Sequence, residues 1–287
     1  MKAVKTIVPY ISLVKFSHTI FALPFALIGY FLALKKTGTG FQILLLVKVI
    51  LCMVFARNAA MAFNRYIDRH YDGMNPRTKV REIPSGIIGA KSAFLFVLLN
   101  VGLFMFTCFT INNLCFYLSP VAMGVVIGYS YTKRFTAFCH FVLGLGLALA
   151  PIGAYLAVTG AFALLPILFS LAVLCWVTGF DIIYALQDEA FDKSIQLKSI
   201  PVVLGGRKAL FASSLLHVFA ALFILVAGQY GHFNFFYWIG AMVFCSLLVY
   251  QHTLVKPNDL SKVNQAFFLT NGIASVVFAL FVLLSFY

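Results

Sequence analysis

The chain is 287 residues long, 62% hydrophobic and only 10% charged, with a mean hydropathy of +0.99 and a net charge of +13. A water-soluble domain of this length needs far more polar surface, and a nucleic-acid binder needs a basic face outside apolar runs, so both classes are excluded. The apolar runs are ~20 residues long and do not alternate, which selects membrane-spanning helices over the ~10-residue alternating strands of a β-barrel.

In chain order, nine spanning helices are expected, over residues 8–33, 41–65, 88–110, 114–131, 136–159, 162–187, 207–228, 233–253 and 263–286. The fold class is therefore all-α, a single polytopic membrane domain over 1–287. The first run is interrupted by Lys15, Ser17 and His18 and shows no small-residue cleavage site, so it reads as a helix and not as a cleaved signal. Pro24 and Pro151 are expected to kink their helices. The turns use ordinary breakers: Gly38 and Gly40, Asn112-Asn113, Thr159-Gly160 and Pro257-Asn258. The six cysteines, Cys52, Cys108, Cys115, Cys139, Cys175 and Cys245, sit in apolar surroundings without zinc-like spacing and read as small apolar packing residues.

Lysine and arginine set the expected orientation. With the N-terminus in the cytoplasm, the inner side carries sixteen cations: Lys2, Lys5, Arg65, Arg69, Arg77, Lys79, Arg81, Lys91, Lys133, Arg134, Lys193, Lys198, Arg207, Lys208, Lys256 and Lys262. The outer side carries two, Lys35 and Lys36. Positive charge stays inside, so the chain is expected in a cell inner (plasma) membrane with its polar loops in the cytoplasm. Lys48 reads as a snorkelling side chain near the outer side.

Acids are scarce and clustered. Of eight carboxylates, seven fall in two short blocks: Asp68, Asp72 and Glu82, then Asp181, Asp188, Glu189 and Asp192. Asn64, Asp68 and Asp72 are spaced i, i+4, i+8, which stacks them on one helix face at about 6 Å per step. Asp188 and Asp192 repeat the step, and Asp181, seven residues earlier, is expected on the same face. The two blocks end helices four apart and so lie on one side of the membrane. They suggest two weakly similar halves, 1–135 and 136–287, facing a shared cavity. Gathered carboxylates need counter-charge. A divalent cation such as Mg²⁺, which favours oxygen ligands and substrate phosphates, supplies it, while nearby Arg and Lys bind the rest of a diphosphate.

Asn64-x-x-x-Asp68-x-x-x-Asp72 with Asn75-Pro-Arg77-Thr-x-x-Arg81 resembles the first signature of the UbiA superfamily of intramembrane prenyltransferases. Asp181-Ile-Ile-Tyr184-Ala-Leu-Gln187-Asp188-x-x-x-Asp192, with Lys198 after it, resembles the second, and Tyr129-x-x-x-Lys133 the element between the fourth and fifth helices. The nearest subgroup is that of the 4-hydroxybenzoate polyprenyltransferases and their bacterial quinone-pathway relatives. One departure is Arg65, where many members carry Asp. The resemblance implies nine helices around a central cavity open to the cytoplasm. It implies Mg²⁺ held by Asn64, Asp68, Asp72, Asp188 and Asp192, and a polyprenyl diphosphate held by Arg77, Arg81, Tyr129, Lys133, Tyr184 and Lys198. Five aspartates, Asp68, Asp72, Asp181, Asp188 and Asp192, would carry the catalysis, with Asp181 orienting ligands or accepting a proton.

Arg57 lies seven residues before Asn64, about 10 Å deeper on the same helix face. A cation at that depth costs about 2.5–3.5 kcal/mol on insertion scales, and a bound carboxylate would offset it. Arg57 is thus the candidate site for an aromatic acid acceptor. His18, His140 and His217 have no metal-ligand spacing and read as satisfied bundle residues. Alternatives stay open: an acceptor of a menaquinone route (dihydroxynaphthoate or a futalosine-route intermediate), a phosphotransferase acting on a lipid diphosphate, or a cation transporter whose acids line an ion path.

Overall fold

The computed structural model describes residues 9–14 and 16–287. Lys2, Lys5 and Lys15, and the side chain of His18, lie outside the described residues. The long helices are α1 (Leu23–Thr37), α2 (Ile43–Ile67), α3 (Ala90–Phe109), α4 (Asn113–Thr132), α5 (Cys139–Thr159), α6 (Leu164–Ala185), α7 (Gly206–Tyr230), α8 (Phe235–Leu254) and α9 (Asn271–Leu284). Among the described residues, nine segments are long and apolar enough to cross a membrane. The helix is the natural solution there, because each backbone N–H and C=O is satisfied within its own segment.

Local chemistry sets the ends. Gly38 and Gly160 stop α1 and α5 in the left-handed conformation, at φ 66° and 62°, which glycine adopts without a Cβ penalty. The Asn112 side chain caps α4 by accepting from the Cys115 amide at 2.8 Å, and its Nδ2 donates to the Leu156 carbonyl at 2.9 Å, fastening α4 to the end of α5. Lys48 donates to the Thr110 carbonyl at 2.7 Å, so it closes the end of α3 instead of only snorkelling.

The first expected helix differs from the observed one. A 3-10 segment, Phe16–Phe21, precedes α1, and Pro24 sits in the first turn of α1. Proline there lacks only an N–H that would be unpaired anyway, so it begins a helix where a kink was expected. Pro151 is inside α5, as expected. Its carbonyl faces Gly29 of α1, where a Cβ would come within 2.0 Å, so the two helices touch backbone to backbone.

Helix α6 runs between α5 and α7, α1 packs on α5 and α9, and α8 closes against α7 and α9. On the other side α2, α3 and α4 pack together. The larger core is aromatic: Trp176 stands 5.5 Å from Phe25 and 5.7 Å from Phe244 by ring centroids, and Phe244 lies 5.3 Å from Phe278. The Trp176 indole donates to Asn271 Oδ1 at 2.7 Å. Asn271 in turn donates to the carbonyls of Ala266 and Phe267, at 3.0 and 2.9 Å, inside a π-helical turn, Gln265–Thr270, that leads into α9. That turn sets the Phe267 ring 4.2 Å from Tyr184. Apolar side chains also face outward: Phe211, Leu215, Val218 and Leu222 form an exposed stripe at helical spacing along α7. In water such a stripe would be a liability, and in lipid it is the solvated face.

Candidate active site

Helix α2 is 25 residues long, about 37 Å at 1.5 Å per residue, which exceeds the ~30 Å hydrocarbon core. Its end carries the first acidic block. Regular helix stops at Ile67, and Asp68, at φ −91° and ψ 3°, caps it before a short helix, Arg69–Met74. The i→i+4 bonds nevertheless continue across the break, from the Asp68 amide to the Asn64 carbonyl at 3.0 Å and from the Asp72 amide to the Asp68 carbonyl at 2.8 Å. The expected stacking of Asn64, Asp68 and Asp72 survives because those bonds do. Asn64 Nδ2 donates to Asp68 Oδ2 at 3.3 Å.

Each aspartate of this block is held by cations. Lys133 at the end of α4 lies 2.6 Å from Asp68, and Arg134 reaches the same carboxylate at 3.5 Å while donating to the Ile67 carbonyl at 2.9 Å. Arg81 meets Asp72 at 2.7 Å. Asp68 and Asp72 are 2% and 6% exposed, so these are desolvated pairs in which geometry matters.

The two blocks touch. Asn75 Nδ2 donates to Asp188 Oδ1 at 3.3 Å, and Arg77 forms a two-pronged pair with the same carboxylate through Nε and Nη2. Arg77 is aimed by two further bonds: its amide donates to Asn75 Oδ1 at 2.9 Å, and its Nη1 to the Tyr184 hydroxyl at 3.3 Å. Burial opposes the Arg77 charge, but the bonds to Asp188 outweigh it and hold the guanidinium above its ordinary value. Asp192 stands within electrostatic reach of Lys133, Asp188 and Asp68. Lys133 therefore sits between the first block and the second.

Two expected members lie elsewhere. A 3-10 turn, Leu186–Asp188, follows α6 and has fewer residues per turn than an α-helix, so the seven-residue register between Asp181 and Asp188 is lost. Asp181 turns instead to His140 of α5, whose Nδ1 is 2.6 Å from its Oδ2. Lys198 forms no ion pair with an aspartate among the described residues. Its Nζ donates to the Phe135 carbonyl at 3.1 Å, and its amide donates to the Lys133 carbonyl at 2.7 Å, so it ties two loops together. Conversely, Asn75 and Arg134 enter the cluster, and His140 pairs with Asp181 beside it, without having been given those places from the sequence. Asn75 belongs to the first signature and Arg134 follows Lys133, which was the available signal. His140 carried none, because its partner is 41 residues away.

Next to the cluster lies a cavity of about 400 Å³ walled by α1 to α5. Its lining is almost wholly apolar, with Met53, Val125, Leu147 and Leu156 among the walls and Arg57 and Tyr129 as its main polar members. Tyr129 is within electrostatic reach of Asp68, Asp181 and Arg57, so cavity and charged cluster meet at this residue. A depression of about 720 Å³ at the opposite end of the bundle shares Ile111 and Ala157 with the cavity.

Among the described residues no three carboxylate, His or Cys side chains form a closed ligand cluster. The donors of the two blocks are all oxygen, which suits a hard cation, and Asp72 Oδ2 is buried with no hydrogen-bond partner. The residues present thus fit a hard cation shared with substrate oxygens better than a closed, all-protein cage.

Residues 22–273 match the model of the UbiA prenyltransferase family. A curated 4-hydroxybenzoate octaprenyltransferase of Vibrio atlanticus is 33% identical over 233 residues, 81% of both chains. One of Vesicomyosocius okutanii is 30% identical over 247 residues, 86% of this chain and 90% of its own. Among solved structures, the apo UbiA homologue of Aeropyrum pernix superposes with a TM-score of 0.83 at 26% identity, covering 93% of this chain and 97% of that one. An Archaeoglobus fulgidus homologue bound to GPP and Mg²⁺ has a TM-score of 0.75 at 20% identity, covering 97% and 99%.

Proposed function

This chain belongs to the UbiA prenyltransferase family, and on that premise we propose that it transfers a polyprenyl group from its diphosphate to an aromatic acid of the 4-hydroxybenzoate type, with Mg²⁺. The observation that carries this reading is the meeting of two environments at Tyr129. On one side is a paired-charge cluster suited to a diphosphate. On the other is an apolar cavity, suited to an isoprenoid chain, with Arg57 as the single cation among its described lining residues. The names of the relatives and the ligands of the Archaeoglobus fulgidus neighbour point the same way.

In this reading Asn64, Asp68, Asp72, Asp188 and Asp192 hold the metal, and Arg77, Arg81 and Lys133 bind the phosphate oxygens, exchanging carboxylate partners for substrate. Mg²⁺, when bound, would neutralise diphosphate charge and make it a better leaving group. The apolar walls exclude water from the allylic cation formed as the C–O bond breaks, and Tyr129 lies beside the junction where that cation develops. The acceptor ring then attacks carbon one of the prenyl chain, and Asp181 stands close by for the proton. Such a product is a precursor of a respiratory quinone. The lysine and arginine asymmetry supports a site on the cytoplasmic side of an inner membrane. Dihydroxynaphthoate also carries a carboxylate that Arg57 would read, so it is the second acceptor to assay. Nothing favours ion transport, since the acids gather at helix ends against cations.

The test is a double cycle on Arg57. Arg57→Ala should weaken binding of the aromatic acid far more than binding of prenyl diphosphate. Loss of one partner of a desolvated charge pair costs about 2–5 kcal/mol. A neutral acceptor analogue should bind wild type poorly and lose little more in the variant. Equal losses for both acceptors would refute carboxylate recognition by Arg57.

A further inference from the structure

The pairing of His140 with Asp181 is built by the fold. Gly144 brings α5 against α6 so closely that a Cβ there would lie 2.4 Å from Thr178 Oγ1 and 2.7 Å from the Leu174 carbonyl. One turn earlier on α5 is His140, and three residues later on α6 is Asp181. The ring is 3% exposed, and both nitrogens are engaged. Nε2 faces the Ile200 amide at 3.3 Å. That amide is the first of the short helix Ile200–Leu204, hence one of the N–H groups a helix start leaves without an internal partner. An amide can only donate, so Nε2 accepts. The single proton of the neutral ring is then on Nδ1, pointed at Asp181 Oδ2.

The Asp181 side chain is 21% exposed, and its Oδ1 makes no hydrogen bond among the described residues. Asp181 also lies within electrostatic reach of Tyr129, at the mouth of the apolar cavity. One carboxylate oxygen is thus pinned from behind, and the other is left for a ligand.

Resting on the proposed reaction, we infer that His140 is a positioning residue for its last step: the Nδ1–H fixes Asp181 so that Oδ1 takes the proton the acceptor ring gives up. The step balances. The C–O bond to diphosphate breaks with its electron pair leaving on oxygen, a C–C bond forms between prenyl carbon one and the ring, and the ring C–H proton passes to Asp181. The same geometry gives the otherwise structural loop at Ile200 a part in setting the imidazole tautomer.

Two substitutions separate the two nitrogens. In His140→Asn the side-chain Nδ2–H occupies the place of Nδ1–H and can still reach Asp181. In His140→Gln the amide reaches toward Ile200 and leaves Asp181 unsupported. The assay uses the full-length enzyme in detergent or nanodiscs, with 4-hydroxybenzoate either unlabelled or deuterated at the carbon that is alkylated. Expected for His140→Gln is a kcat lower by about ten- to a hundredfold. Its KM for prenyl diphosphate should be unchanged, and a primary isotope effect larger than in wild type should appear as proton removal becomes slow. His140→Asn should recover most of kcat and lose that isotope effect. An active wild type with His140→Gln equal to or faster than His140→Asn, or with no change in isotope effect, overturns the positioning role alone. A wild type inactive on aromatic acids overturns the reaction on which the inference rests.

Discussion

Asp68 is 2% exposed beside Lys133 and Arg134, and this arrangement does two things at once. It fastens the end of α2 to the end of α4, and it keeps a carboxylate at the site without leaving it alone in a desolvated place. Removing every partner of a buried charge costs about 3–5 kcal/mol. Lys133→Met leaves Arg134 in place, so a smaller loss is expected, read as a lowered thermal midpoint in detergent. Adding Asp68→Asn to Lys133→Met should restore stability and leave activity absent. Restored activity in the double variant would show the pair to be purely structural. At this scale the aspartates were legible because their four-residue spacing is a local pattern that helix geometry turns into a face. His140, Asn75 and Arg134 were not legible as partners, because their contacts depend on which helices lie side by side. Lys198 followed its motif in the chain but not in space, since the Phe135 carbonyl holds its ammonium.

Helices α5 and α6 show how an element delivers a side chain. Gly144 permits their close approach, and that approach decides where His140 meets Asp181. Gly144→Ala should force the helices apart, costing about 1–3 kcal/mol by overpacking and lowering kcat through His140. Gly102→Ala on α3, where a Cβ meets nothing within 4 Å, is the matched control and should be neutral or slightly stabilising. Thermal midpoints and kcat for the two variants check this, and equal behaviour would contradict it. Helix existence was readable from apolar runs alone. The 3-10 turn before Asp188 and the π-turn before α9 were not, because each is stabilised by tertiary partners. The clearest case is Asn271, which is fully buried and donates to two π-turn carbonyls while accepting from Trp176. Through Phe267 and Tyr184 that turn reaches Arg77, so a distortion just before α9 helps aim the clamp on Asp188.

At the scale of the whole molecule, the membrane supplies the solvent for an outward apolar surface and the helices supply a dry interior. Composition and the apolar runs foretold this helical architecture, because every spanning segment must satisfy its backbone internally. A shared cavity was expected, but not which residues wall it, because they come from five helices that meet only in the folded chain. We read the two acidic blocks as the contributions of two halves, 1–135 and 136–287, to one site, joined by Asn75 and Arg77 on one side and Asp188 on the other. The most direct test is transfer itself. The purified protein is given a radiolabelled polyprenyl diphosphate, 4-hydroxybenzoate and Mg²⁺, then excess chelator, then Mg²⁺ again. The expected result is a labelled prenylated acid that disappears with chelator and returns with the metal. A folded protein that labels no aromatic acid, or one fully active in excess chelator, would contradict it.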